Sequence, residues 1–294
     1  MIAINNLSKT YGTFQALNNL SLEIPDGELF CFLGPNGAGK TTTIKILTGL
    51  LHPTSGTATI DGLDIKQDPI KVKKRIGYIP DMPYLYDRLT TTEFFEFTGR
   101  LYNISKEKTA TELDVAFERF GLNEHRTALV KELSHGLRQR LIYATTFLHN
   151  PSVLFIDEPF VGLDPYTIRL IKDLLRAHTA NGGTILLTTH ILAIAEDIAD
   201  RIGIIHQGEL VALGTLQELQ EQQKSKVRGQ KSEIESQRSE ARGQRSETKD
   251  QQPPSPPNSS FIIHNSSLSS PPSLEDIFLS LTRPEISQQQ PDKN

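Results

Sequence analysis

Gly34-Pro35-Asn36-Gly37-Ala38-Gly39-Lys40-Thr41 decides how this chain folds, because an apolar run leads into it and an apolar-periodic run leaves it. Upstream, Leu29-Phe30-Cys31-Phe32-Leu33 reads as a short buried strand. Downstream, Thr42 to Leu50 spaces its apolar residues as a helix does and stops at Gly49. Between strand and helix, glycines let successive backbone N–H groups turn toward one centre, and the positive end of the helix dipole starting at Lys40 reinforces them. The result is a cradle for phosphate oxygens. Lys40 is expected to reach the β- and γ-phosphates of a nucleoside triphosphate as a point charge, and the Thr41 hydroxyl to ligate the Mg2+ that bridges them. Gly34, Pro35, Asn36, Gly37, Ala38, Gly39, Lys40, Thr41 and Thr42 are the expected nucleotide-binding residues of this loop.

A second carrier of chemistry lies downstream, where Val153-Leu154-Phe155-Ile156 runs into Asp157-Glu158-Pro159. A buried strand ending in adjacent carboxylates needs partners for the charge. Asp157 is placed to hold Mg2+, and Glu158 to orient and polarise the water that attacks the γ-phosphate. His190 closes a further strand, Ile185 to Thr189, on the sheet edge where ligands gather in open α/β folds. Leu133-Ser134-His135-Gly136-Leu137 opens another helix with Ser134 as its cap, leaving free N–H groups for a second anion. Arg138 and Arg140, just beyond it, read as solvated helix charges.

Bulk properties narrow the class. The 294 residues carry a formal net charge of −4, which argues against a nucleic-acid partner. No long apolar stretch spans ~20 residues, so a membrane role requires another chain to cross the bilayer. Met1-Ile2-Ala3-Ile4-Asn5 lacks the features of a secretory signal, making cytoplasmic residence the expectation. The single Cys31 permits no internal disulfide and reads as a small buried apolar residue.

Organisation follows from the pattern of periods. Ser21 to Ile24 and Thr57 to Ile60 alternate by two and predict a small antiparallel sheet. From about 85 to 150 the pattern is helical: Thr90-Thr91-Thr92-Glu93 is a capping box before Phe94, Phe95 and Phe97, and Ser105 opens a helix that Gly121 closes. After Pro151, strands alternate with helices, one of them capped by Asp164 with Pro165 in its first turn and Ile168, Ile171 and Leu175 on its buried face. The fold class is therefore α/β: a P-loop NTPase core with a mostly parallel sheet, a small antiparallel β subdomain and an inserted helical subdomain. The expected nucleotide-binding domain covers 1–220. A polar, mixed-charge linker over 221–260 is expected to be disordered, and 261–294 forms a short extension with a strand at Phe261-Ile262-Ile263 and a capped helix at Ser273 to Phe278 that could dock on the main domain.

From about Leu7 to Leu219 the order of these motifs resembles the ATP-binding subunits of ABC transporters. Residues 34–41 resemble the family's first nucleotide motif and Leu154 to Glu158 its second. Leu133 to Leu137 is similar to the signature, usually Leu-Ser-Gly-Gly-Gln. Gly162-Leu163-Asp164 resembles the loop after the catalytic glutamate, His190 the switch histidine, and Tyr11 the aromatic that stacks on adenine. The resemblance implies ATP and Mg2+ as cofactors, and Glu158, His190 and Lys40 as the catalytic set. It also implies a second ATP-binding subunit, a homodimer from this one copy, in which Ser134 and Gly136 touch the γ-phosphate across the interface. A separate transmembrane permease would be the partner, with this chain peripheral on the inner face of the cell membrane.

Departures are visible. His135 and Leu137 stand where glycine and glutamine are usual, and Asp81 stands where the family normally has glutamine, as a possible Mg2+ or water ligand. An acidic residue there, with Leu85-Tyr86-Asp87 after it and the Leu-Glu-Asp-Ile-Phe ending, is similar to multidrug, antibiotic and polysaccharide export subunits and points to export. Two alternatives stay open from sequence: a soluble ABC-type ATPase acting on a cytosolic assembly, and a nucleotide-binding regulator without turnover.

Overall fold

The computed structural model describes residues 1–82, 84–225 and 271–282. The chain divides into two compact units, Met1–Thr215 and Leu216–Asn294.

In the first unit, continuous apolar strands form a sheet covered on both faces. β3 (Leu29–Leu33), β6 (Ile76–Ile79), β7 (Val153–Asp157), β8 (Thr184–Thr189) and β9 (Arg201–His206) are parallel, with β10 (Glu209–Gly214) antiparallel at one edge, in the order β10-β9-β3-β8-β7-β6. All five residues of β3 are buried, Cys31 among them, and burial pushes that thiol's pKa up. Such strands carry no polar face because helices lie above and below.

The antiparallel sheet also forms as expected: β1 (Ile2–Tyr11), β2 (Phe14–Ile24), β4 (Ser55–Ile60) and β5 (Leu63–Asp64), in the order β2-β1-β4-β5. Its inward residues Ile2, Ile4, Leu20 and Ile24 join Phe30, Phe32 and Phe155 of the parallel sheet in one core. Each such side chain contributes about 1.5–3 kcal/mol on burial.

α1 (Lys40–Leu47) follows β3 directly, and Gly49 turns the chain out of it at φ 70°. α2 (Pro69–Arg75) leads into β6. In the helical region, α3 (Thr91–Leu101) opens on the complete Thr90–Glu93 capping box, and α4 (Lys106–Arg119) on Ser105, whose hydroxyl accepts from the Lys108 N–H. The phenylalanines are packing residues: Phe95 meets Phe117 edge to face at 5.7 Å, and Tyr86 packs against Phe97 at 5.3 Å. α5 (His135–Phe147) starts at the Ser134 cap, and α6 (Pro165–Ala180) at Asp164. Ile171 and Leu175 of α6 are buried as expected, but Leu174 completes that face and Ile168 is only half-buried. α7 (Leu192–Ile198) links β8 to β9.

In the second unit, α8 covers residues 216–225 and so runs across the expected boundary at 220. Its Gln-, Glu- and Leu-rich sequence favours helix there. α9 (Leu274–Thr282) is capped by Ser273, whose hydroxyl accepts from the Asp276 N–H at 3.1 Å. The expected linker beyond 225 and the expected strand at Phe261-Ile262-Ile263 lie outside the described residues.

Candidate functional site

Parallel register decides which side chains meet. β3 and β8 pair Leu33 with Thr189, and β7 and β8 pair Asp157 with Thr188. The C-terminal ends of these strands therefore bring Gly34, Asp157, Glu158 and His190 to one edge of the sheet, the edge at which α1 begins.

At that edge the backbone of the loop is forced by close contact. Gly39, at φ 109°, could carry no Cβ, since one would lie 2.7 Å from the Ala16 carbonyl oxygen. Lys40 is 6% exposed, and its Nζ donates to the Gly34 and Pro35 carbonyls at 2.7 and 3.2 Å. The same Nζ lies 3.4 Å from Glu158 Oε1. Thr41 Oγ1 donates to Asp157 Oδ1 at 3.2 Å, and Thr188 Oγ1 donates to that same oxygen at 2.5 Å. Asp157 is only 2% exposed, so that oxygen is satisfied by these hydroxyls rather than by water.

Glu158 sits at φ 48°, a left-handed backbone that costs a non-glycine residue about 1–3 kcal/mol. Its N–H is held by the Thr188 carbonyl at 3.2 Å and hydroxyl at 3.3 Å. Its Oε2 accepts from the His190 N–H at 3.3 Å and lies 3.0 Å from His190 Nδ1. One carboxylate oxygen thus faces His190 and the other faces Lys40.

A cavity of about 290 Å³ opens beside these groups, lined by Asn36 to Thr42, Asp81 and Glu158 on one side and by Tyr11, Phe14 and Ala16 on the other. Tyr11 and Phe14 face one another across the β1–β2 hairpin and are both exposed. Lys9 Nζ stands 5.1 Å from the centre of the Tyr11 ring. Phe14 was not among the expected residues, and neither was Thr188. Their signals were present: an aromatic opposite Tyr11 at a tight turn, and a hydroxyl in an otherwise apolar strand. Asp81 lies on the cavity wall, and partial burial, then the nearby Asp157 and Glu158 charges, raise its pKa.

Ser134 and Gly136 do not line this cavity. Ser134 is exposed at the start of α5, where its hydroxyl accepts from the Leu137 N–H at 3.3 Å. Arg138 and Arg140 correct the expectation of solvated charges. Arg138 pairs with Asp87 at 2.9 Å, while Arg140 donates to Thr167 Oγ1 at 2.7 and 3.0 Å and lies over the Tyr166 ring. The helix positions were right, but partners from distant segments reach both.

Residues 17–161 match the family model described as ABC transporter. The daunorubicin/doxorubicin resistance ATP-binding protein DrrA of Streptomyces peucetius is 38% identical over 226 residues, which cover 77% of this chain and 68% of DrrA. The chain belongs to the ABC transporter family of ATP-binding proteins.

Human ATP-binding cassette sub-family A member 2 is 41% identical over 217 residues, covering 73% of this chain but only 9% of that much longer protein. Among solved structures, a dimeric ATP-binding cassette in a post-hydrolysis state, bound to ADP and Pi, superposes with a TM-score of 0.68 at 27% identity, covering 74% of this chain and 99% of that one. The P-loop core with its ABC-type additions is thus the architecture of the family. No described helix is long and apolar enough to cross a membrane.

Proposed function

We propose that this chain hydrolyses ATP to power export through a separate transmembrane permease, as a homodimer at the cytoplasmic face of the membrane. The observation that carries the reading is the meeting of Lys40, Thr41, Asp157, Glu158 and His190 within 3.4 Å contacts beside one cavity. Export is supported by DrrA, whose name attaches it to daunorubicin and doxorubicin resistance. Dimer formation is supported by the dimeric solved relative and by the position of Ser134 and Gly136 outside this chain's own cavity.

The site residues divide the work. Tyr11, with Phe14 beside it, stacks on the adenine; the backbone from Gly34 to Gly39 and the start of α1 hold the phosphates; and Lys40 neutralises the β- and γ-oxygens. His190 fixes Glu158 Oε2, leaving Oε1 to orient and polarise the attacking water once Lys40 turns to the phosphates. Thr41 and Asp157 offer hard oxygens 3.2 Å apart, and Asp81 a third from the cavity wall. This donor set fits Mg2+, which takes few protein ligands and completes its shell with water and phosphate oxygens. When bound, Mg2+ would neutralise charge on the β- and γ-phosphates. Ser134 and Gly136 present α5 to the γ-phosphate held by the second copy.

Purification of the chain from membranes tests both parts. Mg2+-dependent phosphate release from ATP, together with recovery of a multi-spanning partner, is expected. A preparation without turnover would remove the enzyme reading, and recovery with non-membrane proteins alone would remove the transport reading.

A further inference from the structure

Between Glu158 and α6 the chain runs through Pro159-Phe160-Val161-Gly162-Leu163, a turn with few partners from other elements. Phe160 is buried under Lys172, but Val161 is 45% exposed. Glu158 at one end and Gly162 within the segment both have positive φ, 48° and 72°. Among the described residues, one side-chain hydrogen bond reaches the backbone of the 159–163 turn. It runs to His135, whose Nε2 lies 3.4 Å from the Val161 carbonyl oxygen. A carbonyl can only accept, so the contact requires the tautomer with the proton on Nε2. The His135 ring also lies over Gly162, with its Cδ2 3.7 Å from where a Cβ would stand.

We propose that His135 is a positioning residue: by donating to Val161 it ties the start of α5 to the segment that follows Glu158 and so holds that carboxylate in place. Neighbouring contacts run in the same direction. Arg140, in the second turn of α5, lies 3.7 Å from Asp164 Oδ2 and donates to Thr167, fastening α5 to the first turn of α6. Those contacts hold the far end of the segment, and His135 holds its middle. A glycine, usual at this position by the resemblance above, would have no such donor. In this chain the end of α5 offered to a second copy is therefore mechanically joined to the chain's own Glu158.

The kinetic part of the test rests on the ATPase reading, so it is paired with a measurement that needs no turnover. His135→Phe keeps a ring over Gly162 but loses the donor, and His135→Gln keeps a donor at similar reach. In the nucleotide-free protein, amide hydrogen exchange across 159–164 is expected to quicken about three- to ten-fold in the Phe variant, the size one net hydrogen bond gives. The Gln variant should stay near wild type. In ATP turnover, kcat should fall by a similar factor in His135→Phe with KM within two-fold of wild type, and recover in His135→Gln. Exchange unchanged in the Phe variant, or Phe and Gln variants altered equally, would overturn the tie. A wild-type protein without turnover would instead overturn the ATPase reading, and the exchange result would decide the His135 contact alone.

Discussion

The loop edge and the start of α5 both offer helix N-termini to an anion, yet they are built differently. At the loop edge, Lys40 and Asp157 are buried, and each is held by two or more partners, Lys40 by the loop carbonyls and Asp157 by hydroxyls from α1 and β8. At α5, Ser134 and His135 are exposed, Ser134 held within its own helix turn and His135 by a single contact to Val161. The first is a prepared site whose charges are already desolvated and paired, where a ligand exchanges partners rather than ordering a loop. The second is a bare surface that gains a ligand only when something is brought to it. One chain is thus equipped to bind nucleotide, and on our proposal a pair is needed to consume it.

The sharpest way to break that comparison is to remove chemistry from the prepared site without removing binding. Glu158→Gln keeps the shape and the His190 contact but cannot take a proton, and it relieves Lys40 of an anionic neighbour. Steady-state phosphate release is expected to drop about 10²–10⁴-fold with ATP binding retained. Hydrolysis near wild type would take Glu158 out of its role.

Lys40→Ala attacks binding itself. It deletes the one ammonium among the described residues lining the cavity, and on our proposal the loss of its charge-assisted hydrogen bonds weakens ATP affinity about 10–100-fold by titration calorimetry. Equal affinity in the variant would mean that the loop is not where phosphate sits.

Ser134→Asp separates the two edges. Aspartate caps a helix as well as serine does, so thermal stability should hold, but its charge faces any phosphate delivered by a second copy. ATP affinity of the isolated chain should stay within two-fold while turnover falls roughly ten-fold, a like-charge penalty of about 1.4 kcal/mol. If turnover is untouched, α5 does not meet nucleotide and the comparison loses its second half.

The same contrast explains what could be read without coordinates. The prepared site was legible because its local chemistry is written in contiguous residues: glycines that a backbone approach demands, a lysine at a helix start, carboxylates at a strand end. Caps at Thr90, Ser105, Ser134 and Asp164 were legible for the same reason, since each acts within one turn. What escaped depends on pairing across distance. Thr188 matters because parallel register sets it beside Asp157, and Phe14 because a tight hairpin sets it opposite Tyr11. Arg138 finds Asp87, and Arg140 finds Thr167, through the packing of separate helices and loops, which no periodicity records.

The smallest expected effect comes from Asp81, on the cavity wall between the two kinds of surface. Partial burial, followed by the Asp157 and Glu158 charges, raises its pKa, with His135 and His190 opposing. A carboxyl with a raised pKa binds its proton more tightly in the folded protein than in the unfolded chain. Its contribution to stability is therefore complete below the unfolded value and is lost as pH rises through the folded value. At neutral pH ionised Asp81 works against the fold, so Asp81→Asn should melt higher in the absence of nucleotide. The side chain is exposed and solvent screens it, which limits the gain to about 1–2 °C, the scale of a surface substitution in a domain this size. The difference should close as pH falls through the raised folded value and be gone below roughly pH 4, where both side chains are neutral, and it should narrow with added salt at pH 7. A variant that melts lower than wild type at pH 7 and equal to it in acid would show that the Asp81 charge has a favourable partner in the folded chain, and that the cavity wall belongs with the paired charges of the loop edge.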